Sequence, residues 1–337
     1  MNRARLEELF QAFSSNRILV IGDLMLDEFI WGNVRRISPE APVPVVEVTR
    51  QSWFPGGSAN VARNLREFSD HVSVLGLVGT CPHAAQLRKL LAEHHINLDH
   101  LQEDPDYQTI VKTRIIGGHQ QIVRVDREKK TGLTPAQTDR VVREIEALLP
   151  SLDAIIFEDY GKGLLQQKLV DRIITVANAA GVVITVDPNP NNRLTWKSVT
   201  AITPNRSEAF ASAGRPWTEP VEPAVEDKEL FEVGTILLEK WETQNLLVTL
   251  GEQGMMLFRP GQTPFHIPTR AQEVFDVSGA GDTAIALFTL ALSAGATPPE
   301  AADISNHASG VVVGKLGTAI VTREELIQSF ETHAQQP

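Results

Sequence analysis

The stretch Val274-Phe-Asp276-Val-Ser278-Gly279-Ala280-Gly281-Asp282-Thr283, followed by the apolar run Ala284–Ala294, carries the strongest chemical signal in the chain. Small residues ahead of a helix let backbone N–H groups approach an anion, and the helix dipole favours negative charge there. A carboxylate at that place would repel a resident phosphate. The combination makes sense if Asp282 faces an attacking hydroxyl while the N–H groups hold a transferring phosphoryl group. A helix cap is the competing reading, since Asp and Thr are common at helix starts. Gly279–Ala284 also fits the relaxed dinucleotide fingerprint G-x-G-x-x-A, which would suit an oxidoreductase. That fingerprint belongs after the first strand of a βαβ unit, and here it lies near the C-terminus.

Four further groups could do chemistry. Gly56-Gly57-Ser58-Ala59-Asn60 allows close backbone approach and offers an amide to hydroxyls; a turn capped by Ser58 is the plain alternative. Asp23 and Asp27 follow a strand and could each accept two hydroxyl hydrogens of a sugar, or serve turns. Asn205 and Glu208 share a helix face and suit a water-rich Mg²⁺ shell, but Asn-x-x-Glu is equally a capping box. Glu158-Asp159-Tyr160-Gly161-Lys162 could bring a cation to a phosphate, although no GxxxxGK[ST] loop occurs. The histidines, His94, His95, His119 and His307 among them, form no i, i+4 pair, which argues against zinc. No G-x-S-x-G elbow supports hydrolysis by a serine.

Buried-strand patterns recur at Arg17–Gly22, Val72–Val78, Ala154–Phe157, Val182–Val186, Ala201–Thr203 and Leu246–Leu250. Helical stretches at 59–68, 84–94, 135–149 and 166–180 separate them. This alternation predicts an α/β fold with a mostly parallel central sheet and helices on both faces. Ligands of such sheets sit beyond the carboxyl ends of the strands, where Asp23, Asp159, Asp187, Asn205 and Gly251 fall. Two alternating segments, a hairpin turning at Gly117-Gly118-His119 and the proline-rich 28–56, predict a small antiparallel flap. The expected organisation is one domain over 1–337 with a lid formed by about 28–56 and 107–127, and a frayed tail from Thr332.

Composition limits the partners. The 337 residues are 42% apolar and 22% charged, an ordinary globular balance. A net charge of −11 argues against nucleic acid or an anionic membrane, so positive potential for a phosphorylated ligand must be concentrated locally. The lone Cys81 fits a reducing compartment, and the N-terminus reads as an amphipathic helix without a signal-peptide core. A cytoplasmic location is the expectation.

Gly56-Gly57-Ser-Ala-Asn60 early and Asp276-Val-Ser-Gly-Ala-Gly-Asp282 late resemble the paired signatures of PfkB, or ribokinase-like, carbohydrate kinases, and the likeness covers essentially the whole chain. The resemblance implies ATP with Mg²⁺, Asp282 as base, and Gly279, Ala280 and Gly281 as an anion hole. It implies a nucleotide site of Asn205, Arg206, Ser207, Glu208, Thr249, Gly251, Gly254, Ser278 and Asn306, with Glu208 reaching Mg²⁺ through water. Asp276 becomes a candidate ligand for K⁺. Gly22-Asp23-Leu-Met-Leu-Asp27, Arg36-Ile-Ser-Pro-Glu-Ala-Pro-Val-Pro-Val45 and Val312-Val-Gly-Lys315-Leu-Gly-Thr318 are similar to the D-glycero-D-manno-heptose-7-phosphate kinases. That narrower likeness implies an acceptor already bearing phosphate, neutralised by Arg36, Arg124 and Lys162, and a homodimer through the flap. Ribose, fructose or fructose phosphates are the other acceptors to consider. Asp187-Pro-Asn189-Pro departs from the expected Asp-Pro-Lys.

Overall fold

Every second residue of the strand patterns faces a different core, and that alternation builds the layers. In the first strand Ile18 and Val20 pack on one side of the sheet and Leu19 and Ile21 on the other. Ala154 and Ile156 divide from Ile155 and Phe157 in the same way. A strand fully buried on both faces needs helices above and below.

The computed structural model describes all residues except Asn2, His119, Gln272 and 335–337. Helix α1 (Arg3–Phe13) leads into β1 (Arg17–Gly22), β2 (Leu24–Ile37) and β3 (Pro44–Gly57). Then come α2 (Ser58–Arg66), β4 (His71–Leu75), β5 (Leu77–Val78), α3 (Pro82–Glu93), β6 (Gln102–Glu103), β7 (Ile110–Gly117) and β8 (Gln120–Arg127). The middle holds α4 (Pro135–Leu148), β9 (Ala154–Glu158), α5 (Gln167–Ala180), β10 (Val183–Asp187), β11 (Ala201–Ile202) and α6 (Arg206–Ala213). The last part is α7 (Lys228–Trp241), β12 (Asn245–Thr249), β13 (Met255–Phe258), β14 (Phe265–Ile267), α8 (Ala280–Ser293), α9 (Pro298–Val313) and α10 (Arg323–Ala334).

The large sheet has the order β14-β13-β12-β11-β10-β9-β1-β4. It is parallel from β4 to β12 and antiparallel at the β13 and β14 edge. Buried residues of α1, α2, α3, α8 and α9 fill one face; those of α4, α5, α6 and α7 fill the other. The parallel α/β body expected from the alternation is present. The run predicted over Val72–Val78 divides: β4 joins the large sheet, while β5 pairs with β6 in a separate two-stranded piece.

The small sheet has the order β3-β2-β7-β8. The expected hairpin forms as β7 with β8, the segment at 28–56 folds as a second antiparallel pair, β2 with β3, and the two join through a parallel β2–β7 pair. Strand β2 starts at Leu24, earlier than its exposed part suggests, because Leu24-Met-Leu is buried where it leaves the large sheet. The hairpin's turn residue His119 lies outside the described residues. The tail expected to fray from Thr332 is instead helical through Ala334, the remainder being outside the described residues. Among the described residues, no helix is long and apolar enough to cross a membrane.

Candidate active site

Asp282 stands in the first turn of α8, whose N-cap is Gly279 at φ 79°, a left-handed conformation that favours glycine. No side chain closes this helix start. The Asp282 carboxylate is held from two sides: Asn60 Nδ2 donates to Oδ2 at 2.7 Å and the Tyr160 hydroxyl donates to Oδ1 at 2.7 Å. Burial pushes its pKa up, and the bonds from Asn60 and Tyr160 pull against that rise. The two glycine-rich motifs, far apart in sequence, therefore meet at one carboxylate. Gly56 and Gly57 have a steric reason as well. A Cβ on Gly56 would lie 2.2 Å from Asp27 Oδ2, so the glycine lets that carboxylate sit against β3. Ser58 does not cap α2; Gly57 is the N-cap and the Ser58 hydroxyl is buried without a partner.

Beneath Asp282 lies an acidic floor. Glu158 is 0% exposed and, among the described residues, neither of its carboxylate oxygens has a hydrogen-bond partner. Burial, then the negative charges of Asp187 and Asp282, raise its pKa well above the usual carboxylate range. Asp187 is raised too, by burial and then by Glu208 and Asp282. Burial pushes Asp159 up to about 7, against bonds from Asn192 and Gly161. Asp159, Tyr160, Asp187, Asn189, Ser207 and Glu208 share a cavity of about 510 Å³.

A second cavity of about 600 Å³ opens beside the start of α8. Thr249, Gly251, Gly254, Ala280, Gly281 and Asn306 all line it, so this part of the expected nucleotide set is brought together. Asn306 is fixed by donating to the Pro268 carbonyl at 2.6 Å. Ser278 is exposed, and its N–H donates to Asp276 Oδ1 at 2.9 Å; Gly317 N–H donates to the other oxygen at 3.0 Å. Asp276 thus ties the glycine loop to the loop after α9. Burial opposes its ionisation, yet these hydrogen bonds hold its pKa below the ordinary value.

The Asn205–Glu208 pair is a reciprocal capping box. Asn205 Oδ1 accepts from Glu208 N–H at 3.0 Å, and Glu208 Oε2 accepts from Asn205 N–H at 2.8 Å. Glu208 also lines the acidic cavity, so the cap and a ligand-facing position coexist in one residue. Arg206 corrects an expectation. Rather than facing a nucleotide, it is buried, paired with Asp227 at 2.7 Å, and packed over Phe210.

Several expected sugar contacts are spent on protein groups. Asp23 accepts from the N–H of Lys162 at 2.9 Å and of Leu164 at 3.4 Å, which makes it an anchor for the loop after β9. Asp159 accepts from Gly161 N–H and Asn192 Nδ2. Lys162 pairs with Glu128 and Arg124 with Asp126. Arg36 is exposed, nine residues beyond Asp27 on β2 and so roughly 30 Å along the strand. It does not join the cluster within this chain.

The structure gives new weight to residues that the sequence either placed in a motif without a role or passed over. Tyr160 and Glu158 flank the Asp159 that marked a strand end. Lys112 and Arg114 lie on one face of the small sheet, in register between Asp27 and Asp126 and between Phe29 and Arg124. Arg114 Nη1 donates to Asp27 Oδ1 at 2.5 Å. Burial, then the neighbouring Lys162, lowers the pKa of Lys112. The alternation of β7 was a usable signal, since it puts both cations on the face shared with Asp27.

A model of the pfkB family carbohydrate kinases matches residues 15–325, and the chain belongs to that family. The dinucleotide-oxidoreductase reading of the late glycines is thereby overturned. Among curated relatives, the Bifunctional protein HldE of Desulfatibacillum aliphaticivorans is 42% identical over 315 residues, covering 93% of this chain and 63% of that protein. The protein of the same name from Citrifermentans bemidjiense is 40% identical, covering 97% of this chain and 66% of its own length. The Vibrio cholerae one is 41% identical, covering 94% and 64%. The chain thus spans a little under two thirds of the relatives it matches. Among solved structures, phosphofructokinase-2 from Escherichia coli in complex with potassium superposes with a TM-score of 0.76 at 17% identity, over 95% of this chain and 100% of that one. Ribokinase from Arabidopsis thaliana, complexed with ribose and ATP, gives 0.68 at 17% identity, over 94% and 99%. These two likenesses show the fold.

Proposed function

We propose that this carbohydrate kinase transfers the γ-phosphoryl group of ATP to the anomeric hydroxyl of D-glycero-β-D-manno-heptose 7-phosphate, giving the 1,7-bisphosphate. The observation that carries the reading is the Asp282 carboxylate, held between Asn60 and Tyr160 at the open start of α8 beside the 600 Å³ cavity. ATP occupies that cavity along Thr249, Gly251, Gly254 and Asn306, with its transferring group at the N–H groups of Gly279, Ala280 and Gly281. Asp282 takes the acceptor's proton. Oxygen donors line the acidic cavity, and Glu208 would hold Mg²⁺ there through water, the ion supplying charge neutralisation for the phosphates. K⁺ near Asp276 is part of the same reading, supported by the potassium complex of the E. coli neighbour.

The acceptor's own phosphate takes Lys112, Arg114, Arg124 and Lys162 as its cations, in exchange for their carboxylate neighbours Asp27, Asp126 and Glu128. The HldE relatives and the sequence stretches shared with heptose-phosphate kinases support this choice. Asn189, where that subgroup has lysine, favours a second reading in which the acceptor is ribose, fructose or a fructose phosphate. An ADP-release assay across heptose 7-phosphate, fructose phosphates, ribose and unphosphorylated hexoses separates them. Highest kcat/KM on heptose 7-phosphate is expected, and no turnover on it overturns the assignment. Exposed Ile37, Val48 and Val123 on the small sheet, with Val43 in the β2–β3 connection, support a homodimer, read out by sedimentation velocity. The kinase acts in the cytoplasm in this reading.

A further inference from the structure

We infer that Tyr160 is a positioning residue for the reaction, fixing the Asp282 carboxylate from the side opposite Asn60 and keeping it able to accept a proton. The inference rests on the reading of Asp282 as base and deepens it. Its first support is distance: the Tyr160 hydroxyl is 2.7 Å from Asp282 Oδ1, while Asn60 holds Oδ2 at 2.7 Å. Each oxygen keeps a second lone pair, so the acceptor hydroxyl can approach without displacing either donor.

The second support is how firmly Tyr160 is placed. Immediately before it, Asp159 is tied to Gly161 N–H and to Asn192. Just after it, Asp23 holds the N–H groups of Lys162 and Leu164. The loop is thus pinned on both sides of the ring, by contacts made entirely within the fold. Tyr160 also lines the acidic cavity with Asp187 and Glu208.

The third support is charge. The groups facing Asp282 are Asp27 from β2, Glu158 at the end of β9 and Asp187 at the end of β10, all acidic. Burial, and then the charge of Asp27, favour the protonated carboxyl of Asp282, a form that cannot serve as a base. Two neutral donors favour the carboxylate. Tyr160 remains a donor, because burial and then Asp282 raise its own pKa. In the step itself the acceptor oxygen bonds to the γ-phosphorus, the bond from that phosphorus to the departing ADP oxygen breaks, and the hydroxyl proton passes to Asp282.

The test compares Tyr160→Phe, Tyr160→3-fluorotyrosine and Asp282→Asn in the intact chain. Readouts are the pH profile of kcat/KM by ADP release and ATP affinity by titration. Tyr160→Phe should move the acid limb about one unit to higher pH, lower kcat about tenfold near neutrality and leave ATP affinity unchanged. Fluorotyrosine, a stronger donor, should move the limb the other way. An unmoved limb in both tyrosine variants, with Asp282→Asn inactive, overturns the role of Tyr160 and leaves the base intact. Wild-type activity in Asp282→Asn overturns both.

Discussion

Two helices each begin beside a cavity and solve their first turn in opposite ways. At α6, Asn205 and Glu208 cap each other reciprocally and Arg206 is buried against Asp227. At α8, Gly279 supplies no cap, and Asp282 is held by Asn60 and Tyr160 from other elements. Both sequences offer an acid in the first turn. What distinguishes them is who satisfies the carboxylate: a partner within the same turn at α6, and partners from remote elements at α8.

Substitutions can break this contrast, beginning with the largest effect. Asp282→Asn keeps shape and should fold normally, while kcat falls by about 10³-fold, measured by ADP release. A loss of thermal stability with activity retained would place Asp282 with the caps. Arg206→Ala does the reverse: stranding Asp227 in the interior should cost about 3–5 kcal/mol in urea unfolding with kcat of the surviving enzyme little changed. Asn205→Ala removes half of the α6 box and should cost about 1 kcal/mol; a larger drop in ATP affinity would give that box a ligand role too.

The acidic floor sharpens the same contrast through pH. Glu158 has a raised pKa in the folded protein, so the native state keeps its proton after the unfolded chain has lost it. Its contribution to stability is therefore lost as pH rises above the usual glutamate range. Glu158→Gln should raise the melting temperature at pH 8, by the equivalent of about 1 kcal/mol, and much less at pH 4. Equal melting curves at both pH values would show that the carboxylate is not destabilising.

Sequence made the body and the two glycine motifs legible because both depend on local pattern: buried β strands, and small residues before an apolar helix. The partners of Asp282 were less so. Asn60 stood inside a motif, but Tyr160 has no periodicity that marks it and acquires meaning only when the β9 loop reaches α8. Glu158 reads as the opening of the Glu158–Lys162 motif after an apolar strand, and nothing in its neighbours announces an unpaired carboxylate. Arg206 shows the opposite failure, since a motif position carried it into the nucleotide set while Asp227, 21 residues on, claims it. The β2–β7 parallel pairing was also hidden, because alternation predicts hairpins but not which edges join.

Asp23 lies between the last residue of β1 and the first of β2, so the covering sheet leaves the body at a single residue there. The returning chain is fastened at the same spot, where Ser58 N–H donates to the Asp23 carbonyl at 3.2 Å. That one residue therefore sits at the fulcrum of a lever. Its carbonyl is coupled to the turn that carries Asn60 and its carboxylate to the loop that carries Tyr160. Both donors to Asp282 are thereby tied, through a single residue, to the point where the small sheet leaves the body.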